Sequence, residues 1–90
     1  MNEIPKSPDL IKPILLTLKE GEVLHNNEIR ERVSRLLELN AEQLKKIHSG
    51  SRTEFEYRLA WARTNAKSKG LIDSPKRMHW KITEAGKTRI

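Results

Sequence analysis

Aromatic and cationic side chains recur at helical spacing in one segment of the chain, about residues 52–69. Tyr57 and Trp61 are four residues apart, which places them one turn apart on the same face of a helix. Arg52 and Thr53 stand at the start of the segment. Arginine can pair with a guanine edge in the major groove of DNA, and an apolar group can contact a thymine methyl. The segment therefore carries residue types that can read base edges in duplex DNA.

A second set of side chains, suited to binding phosphate, lies in a predicted turn further along the chain. Residues 73–77 read Asp-Ser-Pro-Lys-Arg, a composition typical of turns. Lys76 and Arg77 would stand at the tip of this turn, and His79 follows closely and could add a hydrogen bond. Contacts from lysine and arginine to phosphates supply the sequence-independent affinity of DNA-binding proteins. Charged side chains on loops are also often only solvated, so both interpretations stay open at this point.

The excess of positive over negative charge lies entirely in the second half of the chain. The formal net charge is +6. Residues 1–45 carry seven Lys or Arg against eight Asp or Glu, whereas residues 46–90 carry eleven against four. One-sided basic charge is typical of proteins that bind polyanions. A basic surface maintained only for solubility is the alternative.

Catalytic and metal-binding motifs are absent from the sequence. The chain has no cysteine, which excludes disulfides, thiolate zinc sites and a cysteine nucleophile. It has no G-x-S-x-G, no H-E-x-x-H and no glycine-rich phosphate loop. The longest apolar run, residues 14–16, is far shorter than the about 20 residues of a membrane-spanning helix. We therefore expect a cytoplasmic chain without catalytic residues, cofactor, metal or membrane contact.

The hydrophobic periodicity predicts the elements that would position these side chains. Residues 1–6 are expected to form a flexible leader, and residues 7–90 a single domain. The predicted elements are helices over 7–20, 27–39, 41–47 and 52–69, strands over 22–25, 71–72 and 78–82, a break at 48–50 and a last helical turn capped by Thr83.

The helix over 52–69 is the clearest of these elements. Ser51 and Glu54 form an S-x-x-E capping box at its start, and Gly70 ends it. Its core-facing stripe consists of Phe55, Leu59, Ala62 and Ala66. The element order is that of a winged helix-turn-helix, a mainly α fold with a small β-hairpin. In that plan the long helix lies in the major groove, and residues 73–78, the wing, reach the adjacent DNA backbone.

Several of the candidate side chains also have a structural interpretation. Trp61 could pack into the core, Tyr57 is expected to face outward, and Trp80 is expected in the core. Two arginines and two glutamates of the long helix could form surface ion pairs: Arg58 and Arg63 with Glu54 and Glu56. An outward-facing aromatic ring could also sense a methyl group on adenine or cytosine, because both methyls project into the major groove.

A set of residues between 49 and 86 carries a resemblance to a known family. These residues are Ser49-Gly50, Phe55, Arg58, Trp61-Ala62-Arg63-Thr64, Lys67, Gly70-Leu71-Ile72, Ser74-Pro75, Trp80-Lys81-Ile82-Thr83 and Gly86. The pattern resembles the N-terminal domain of Mrr-type restriction endonucleases. Residues 10–40 fit the same family more loosely, through Pro13, Leu18, His25 and Glu28-Ile29. The chain departs from the family pattern at Tyr57 and at residues 65–66.

The resemblance implies a module that reads double-stranded DNA, with a methylated base as a candidate target. In that family the domain is fused to a nuclease domain, so the resemblance also implies that the chain was excised from a larger nuclease. Such nucleases hold a metal with an (Asp/Glu)-x-Lys tripeptide, and no acidic residue of this chain has a lysine two positions later. We therefore expect no DNA cleavage by these residues. A stand-alone transcriptional regulator, a protein-interaction module and a homodimer remain as alternatives or additions.

Overall fold

The structure is a computed structural model, and it describes residues 4–50 and 52–90. The elements within these residues are, in chain order, α1 (Ser7–Leu18), β1 (Leu24–His25), α2 (Asn26–Leu36), α3 (Ala41–Lys45), β2 (Ile47–Ser49), β3 (Arg52–Thr53), α4 (Glu54–Ser68), β4 (Ile72–Asp73), β5 (His79–Ile82) and α5 (Glu84–Arg89). The predicted mainly α fold with a small β-hairpin is confirmed.

The hairpin of β4 and β5 belongs to a three-stranded antiparallel sheet of order β1-β5-β4. Leu24 pairs with Trp80 on one side of β5, and Ile72 pairs with Ile82 on the other. A backbone hydrogen bond of 2.9 Å from Asn26 N to the carbonyl of Met78 continues the first pairing into the start of α2. The sheet therefore holds the start of α2 beside the hairpin, in the element order predicted for a winged helix-turn-helix.

The core lies between α1 and α4, with α2 and the sheet closing its sides. The predicted stripe of α4 is fully buried: Phe55, Leu59, Ala62 and Ala66 are at most 1% exposed. The facing residues of α1 are equally buried: Leu10, Ile14, Leu15 and Leu18. Because one side of α4 is buried against the core, the opposite side faces outward.

The start of α4 differs from the prediction. The helix begins at Glu54, and its N-cap is Thr53, which forms a capping box with Glu56. The predicted box placed the cap at Ser51, which lies outside the described residues. The S-x-x-E and T-x-x-E patterns overlap in this sequence, and the hairpin that precedes the helix selects the second of them.

That hairpin, formed by β2 and β3, was not predicted. The sequence analysis placed a break at residues 48–50, but Ile47 pairs with Thr53, and Gly50 adopts a φ of +53° in the turn. The strands contain no alternation of apolar and polar residues that would have revealed them. The hairpin is continuous with α4, because Glu54 N donates to the carbonyl of Lys46 at 2.7 Å.

The chain before α1 contacts α4. Ile4 is 5% exposed, and its carbonyl accepts a hydrogen bond of 2.6 Å from Arg58 Nη1. Ser7 Oγ donates to the carbonyl of Arg58 at 3.0 Å. Residues 1–3 of the predicted leader lie outside the described residues. The packed part of the chain thus includes residue 4, within the segment predicted as a leader.

Gly86 provides a test of this packing. It lies inside α5, where alanine would ordinarily stabilise a helix by about 1 kcal/mol. A Cβ at this position would overlap the carbonyl of Leu71 and lie 2.7 Å from Ile82 Cγ1. We expect Gly86→Ala to lower the free energy of unfolding by about 1–3 kcal/mol, as overpacking does. Urea unfolding measures this, with exposed Lys87→Ala as control. An equally or more stable Gly86→Ala variant would contradict the packing of α5.

Candidate nucleic-acid interface

The outward side of α4 forms a shallow surface depression that we call the outer face. It is lined by Arg52, Tyr57, Ala60, Trp61 and Thr64. The side chain of Trp61 is among the most exposed large apolar groups of the described residues, at 50%. Of the two arrangements open from the sequence, the structure places Trp61 on the surface and not in the core.

Tyr57 is less available than Trp61. Its ring is stacked on the imidazole of His48, with centroids 3.7 Å apart and ring planes at 15°. The guanidinium carbon of Arg52 lies 5.8 Å from the centroid of the same ring. Tyr57 is half-buried as a result. The sequence pattern does not indicate this stack, because His48 falls in the predicted break at residues 48–50.

A chain of polar contacts fixes the β2–β3 hairpin against the first turn of α4. His48 Nδ1 lies 3.2 Å from Glu54 Oε1, and Arg58 Nε donates to Glu54 Oε2 at 3.0 Å. The predicted pairing of Arg58 with Glu54 is confirmed. The hydrogen bond from His48, followed by that from Arg58, lowers the pKa of the Glu54 carboxyl. The carboxylate is therefore stabilised in its charged form at the base of the interface.

The two residues predicted at the start of α4 have different environments. Arg52 is exposed and lines the outer face. The Thr53 hydroxyl accepts from Glu56 N at 3.2 Å and donates to the Glu56 carboxylate at 3.0 Å. Thr53 is therefore engaged in capping, whereas the charged side chain of Arg52 is exposed to solvent.

The turn between β4 and β5, residues 74–78, is the structural counterpart of the predicted wing. Lys76 and Arg77 are exposed at this turn and form no ion pair within residues 4–50 and 52–90. His79 is half-buried, with its Nδ1 2.9 Å from the carbonyl of Arg77. Ser74 Oγ lies 2.9 Å from the carbonyl oxygens of both Lys76 and His79. The turn is thus held by internal hydrogen bonds while its two cations project from it.

His79 is less exposed than the turn residues that precede it. Its ring meets the ring of His25 edge-on, with centroids 5.1 Å apart. The two residues are also paired in the register of β1 and β5. His79 therefore joins the base of the wing to the sheet.

A polar groove of about 430 Å³ separates the wing from α4 and the start of α2. We call it the wing groove, and its charged and amide side chains include Asn26, Arg30, Arg52, Glu56 and Arg63. Arg30 Nη1 pairs with Glu56 Oε2 at 2.7 Å. The predicted pairing of Arg63 with Glu56 is therefore wrong, because Arg30 of α2 takes the carboxylate.

Arg63 is the side chain of the wing groove whose position was least expected. Its guanidinium carbon lies 5.8 Å from the centroid of the Trp80 ring. Burial lowers the pKa of Arg63, and the nearby charge of Arg52 lowers it further. Trp80, predicted in the core, is half-buried at its edge and donates from Nε1 to Asn26 Oδ1 at 2.6 Å.

Four cations around the outer face, wing groove and wing form no ion pair within the described residues: Arg52, Arg63, Lys76 and Arg77. Arg30 of the wing groove is paired with Glu56, and Arg32 and Arg35 of α2 are paired with other glutamates. Uncompensated positive charge around these surfaces favours a polyanionic ligand.

The described residues show neither a candidate metal site nor a helix able to span a membrane. They contain no group of three or more His, Cys, Asp or Glu side chains arranged to hold a metal ion. Among the same residues, no helix combines the length and apolar character that a membrane crossing requires.

The sequence matches the family described as the Mrr N-terminal domain over residues 8–90. The chain belongs to this family. The resemblance seen in the sequence is thereby confirmed, and the Mrr N-terminal domain is not itself the catalytic domain of Mrr-type restriction enzymes. No curated protein and no solved structure matches the chain.

The contacts of Glu54 generate a prediction about acid stability. Its folded-state pKa lies below the ordinary value of 4.5, so its charged form stabilises the fold above that pH. This contribution is lost as the pH falls through the lowered pKa. We expect Glu54→Gln to be less stable than the wild type at pH 7, with a difference that shrinks below pH 4.5. Thermal unfolding across pH measures it, with exposed Glu20→Gln as control. A stability difference that does not change with pH would contradict the contacts to Glu54.

Proposed function

We propose that this Mrr N-terminal domain binds double-stranded DNA and supplies the DNA-recognition module of a restriction enzyme. In this proposal the outer face of α4 enters the major groove, and the wing contacts the adjacent backbone. The observation that carries the proposal is that Arg52, on the outer face with the exposed ring of Trp61, and Lys76 and Arg77, on the wing, form no ion pair in the described chain. The cutting step belongs to a separate nuclease domain.

The shape of the outer face supports this placement. The major groove of B-DNA is about 12 Å wide and admits an α-helix. Ala60 and Thr64 beside Trp61 are small, so they leave the indole as the largest group on this face. Exposed aromatic and arginine side chains also occur in protein interfaces. The positive charge of the second half favours nucleic acid over a protein partner.

We further propose that the domain prefers DNA carrying a methylated base, and that Trp61 contacts the methyl group. The sequence left both Tyr57, expected to face outward, and Trp61, which could also pack into the core, as candidates. In the structure the ring of Tyr57 is stacked on His48, whereas the ring of Trp61 is half exposed, which favours Trp61 as the residue that contacts the methyl group. Burying one methyl contributes about 0.8 kcal/mol, which is roughly a fourfold preference. Two methyls in a symmetric site could give on the order of tenfold.

The salt dependence of DNA binding tests the first proposal. If the domain neutralises about 4–6 phosphates, log K should fall with log salt at about 0.9 per phosphate. Lys76→Ala/Arg77→Ala should weaken binding to all sequences equally and reduce the slope by about 2, because phosphate contacts position without specifying. Lys12→Ala/Lys19→Ala is a control with the same change of charge, on α1 and its C-cap. Helix α1 packs on the core side of α4.

Fluorescence anisotropy with labelled duplexes gives both slopes. A wild-type affinity for duplex DNA that does not change with salt concentration would contradict the proposed DNA binding. A wing variant with the same slope as the α1 control would show that the wing lies away from the DNA.

The methyl preference is tested on unmethylated, N6-methyladenine and 5-methylcytosine duplexes. We expect Trp61→Ala to lose any preference for a methylated duplex while keeping the salt slope of the wild type. Because the side chain is half exposed, this variant should unfold at nearly the wild-type temperature. Tyr57→Ala serves as the matched aromatic control. Equal wild-type affinity for all three duplexes, or a preference that only Tyr57→Ala abolishes, would contradict the role of Trp61.

A further inference from the structure

The wing groove contains more positive charge than its own carboxylate can neutralise. Glu56 is the acidic side chain of the groove, and it already accepts hydrogen bonds from Arg30 and Thr53. Arg52 and Arg63 form no ion pair within the described residues. Two guanidinium groups therefore share this groove without an ion pair in the described chain, and Glu56 is the carboxylate whose charge acts on Arg63.

Arg63 provides the most specific indication that the groove binds an anion. Its Nε is buried and has no hydrogen-bond partner among the described residues. A buried N–H without a partner destabilises a fold by about 1–3 kcal/mol. Burial and the charge of Arg52 both lower the pKa of this guanidinium. An anion in the groove would accept from the N–H and reduce the repulsion between the two arginines.

The amide of Asn26 adds a donor to the same place. Its Oδ1 accepts the hydrogen bond from Trp80 Nε1, which fixes the orientation of the amide. The NH₂ group is then the part of the Asn26 side chain that is left to bind a ligand. The groove thus combines charged and neutral donors, a combination suited to phosphate oxygens.

The position of Arg63 on α4 favours a contact with a DNA phosphate over a contact with a base. It is two residues from Trp61, so the two side chains point about 160° apart around the helix axis. The outer face, and not the groove side, would meet the base edges. Arg52 lines both surfaces, so a DNA backbone leaving the outer face would pass directly into the wing groove.

We propose that the wing groove binds one phosphodiester group of the DNA backbone, with Arg63 as its charged donor. This inference rests on the proposed DNA binding. It adds a specific phosphate contact between α4 and the wing, made by a residue for which a surface ion pair was one interpretation of the sequence. A base contact by Arg63 is the competing assignment, and the two have different signatures in binding.

The test compares three variants by the salt dependence of duplex binding. Arg63→Gln should weaken binding five- to tenfold at about 0.1 M salt, equally for all sequences, and reduce the slope by about 0.9. Arg63→Lys should retain most of the slope because it keeps the charge. Arg35→Gln removes the same charge from the far end of α2, nine residues or about 14 Å from Asn26, and should leave the slope nearly unchanged.

The outcomes separate this inference from the proposed function. If wild-type protein binds DNA with salt dependence but Arg63→Gln behaves like Arg35→Gln, the groove contact is wrong and DNA binding stands. If Arg63→Gln relaxes sequence preference and keeps the slope, Arg63 contacts a base and the phosphate assignment is overturned. If neither the wild-type protein nor any variant binds DNA, the proposed function itself is wrong.

A second measurement does not depend on any variant folding. The Nε–H signal of Arg63 in the NMR spectrum of the wild-type chain should shift on addition of a short duplex. Inorganic phosphate, titrated separately, should shift it more weakly. A signal that moves with inorganic phosphate but not with duplex would identify a small-anion site and overturn the assignment to the DNA backbone. A signal that moves with neither would also overturn it.

Discussion

The packing of α1 on α4 is the contact on which the rest of the structure depends. Ala62 and Ala66 are fully buried in it, and their small side chains leave room for the large residues of α1, such as Ile14. This contact fixes the rotation of α4 about its own axis. Because residues on a helix are related by about 100° per position, the burial of the alanines also decides that Trp61 must be exposed. The composition of the outer face of α4 is therefore a consequence of the core.

A second group of contacts fixes the axial position of α4. The capping box of Thr53 determines where the helix begins, and the β2–β3 hairpin is held at this first turn by Glu54 and His48. The hairpin stacks the imidazole of His48 on the ring of Tyr57, so this face of the Tyr57 ring is covered. The same few residues thus set both where α4 begins and which of its aromatic side chains is available.

The sequence was sufficient to predict those parts of the fold that follow from periodicity. The core stripe of α4, the wing hairpin and the N-cap of α5 at Thr83 were all predicted and are confirmed. The β2–β3 hairpin was missed because its strands are two or three residues long and carry no alternating pattern. The environment of Arg63 was missed for a different reason. It depends on α2 and β5 approaching α4, and a contact between residues far apart in sequence leaves no local signal.

The two tryptophans of the chain have different surroundings, and that difference gives the domain two separate optical reporters. Trp61 is half exposed on the outer face, whereas Trp80 lies at the edge of the core with its indole N–H bonded to Asn26. Light emission from an indole depends on its contact with water and with neighbouring groups. Quenching at Trp61 would therefore report on whatever covers α4, while Trp80 reports on whether the sheet and α2 remain together. Ligand occupancy and integrity of the fold can thus be followed in the same unlabelled sample.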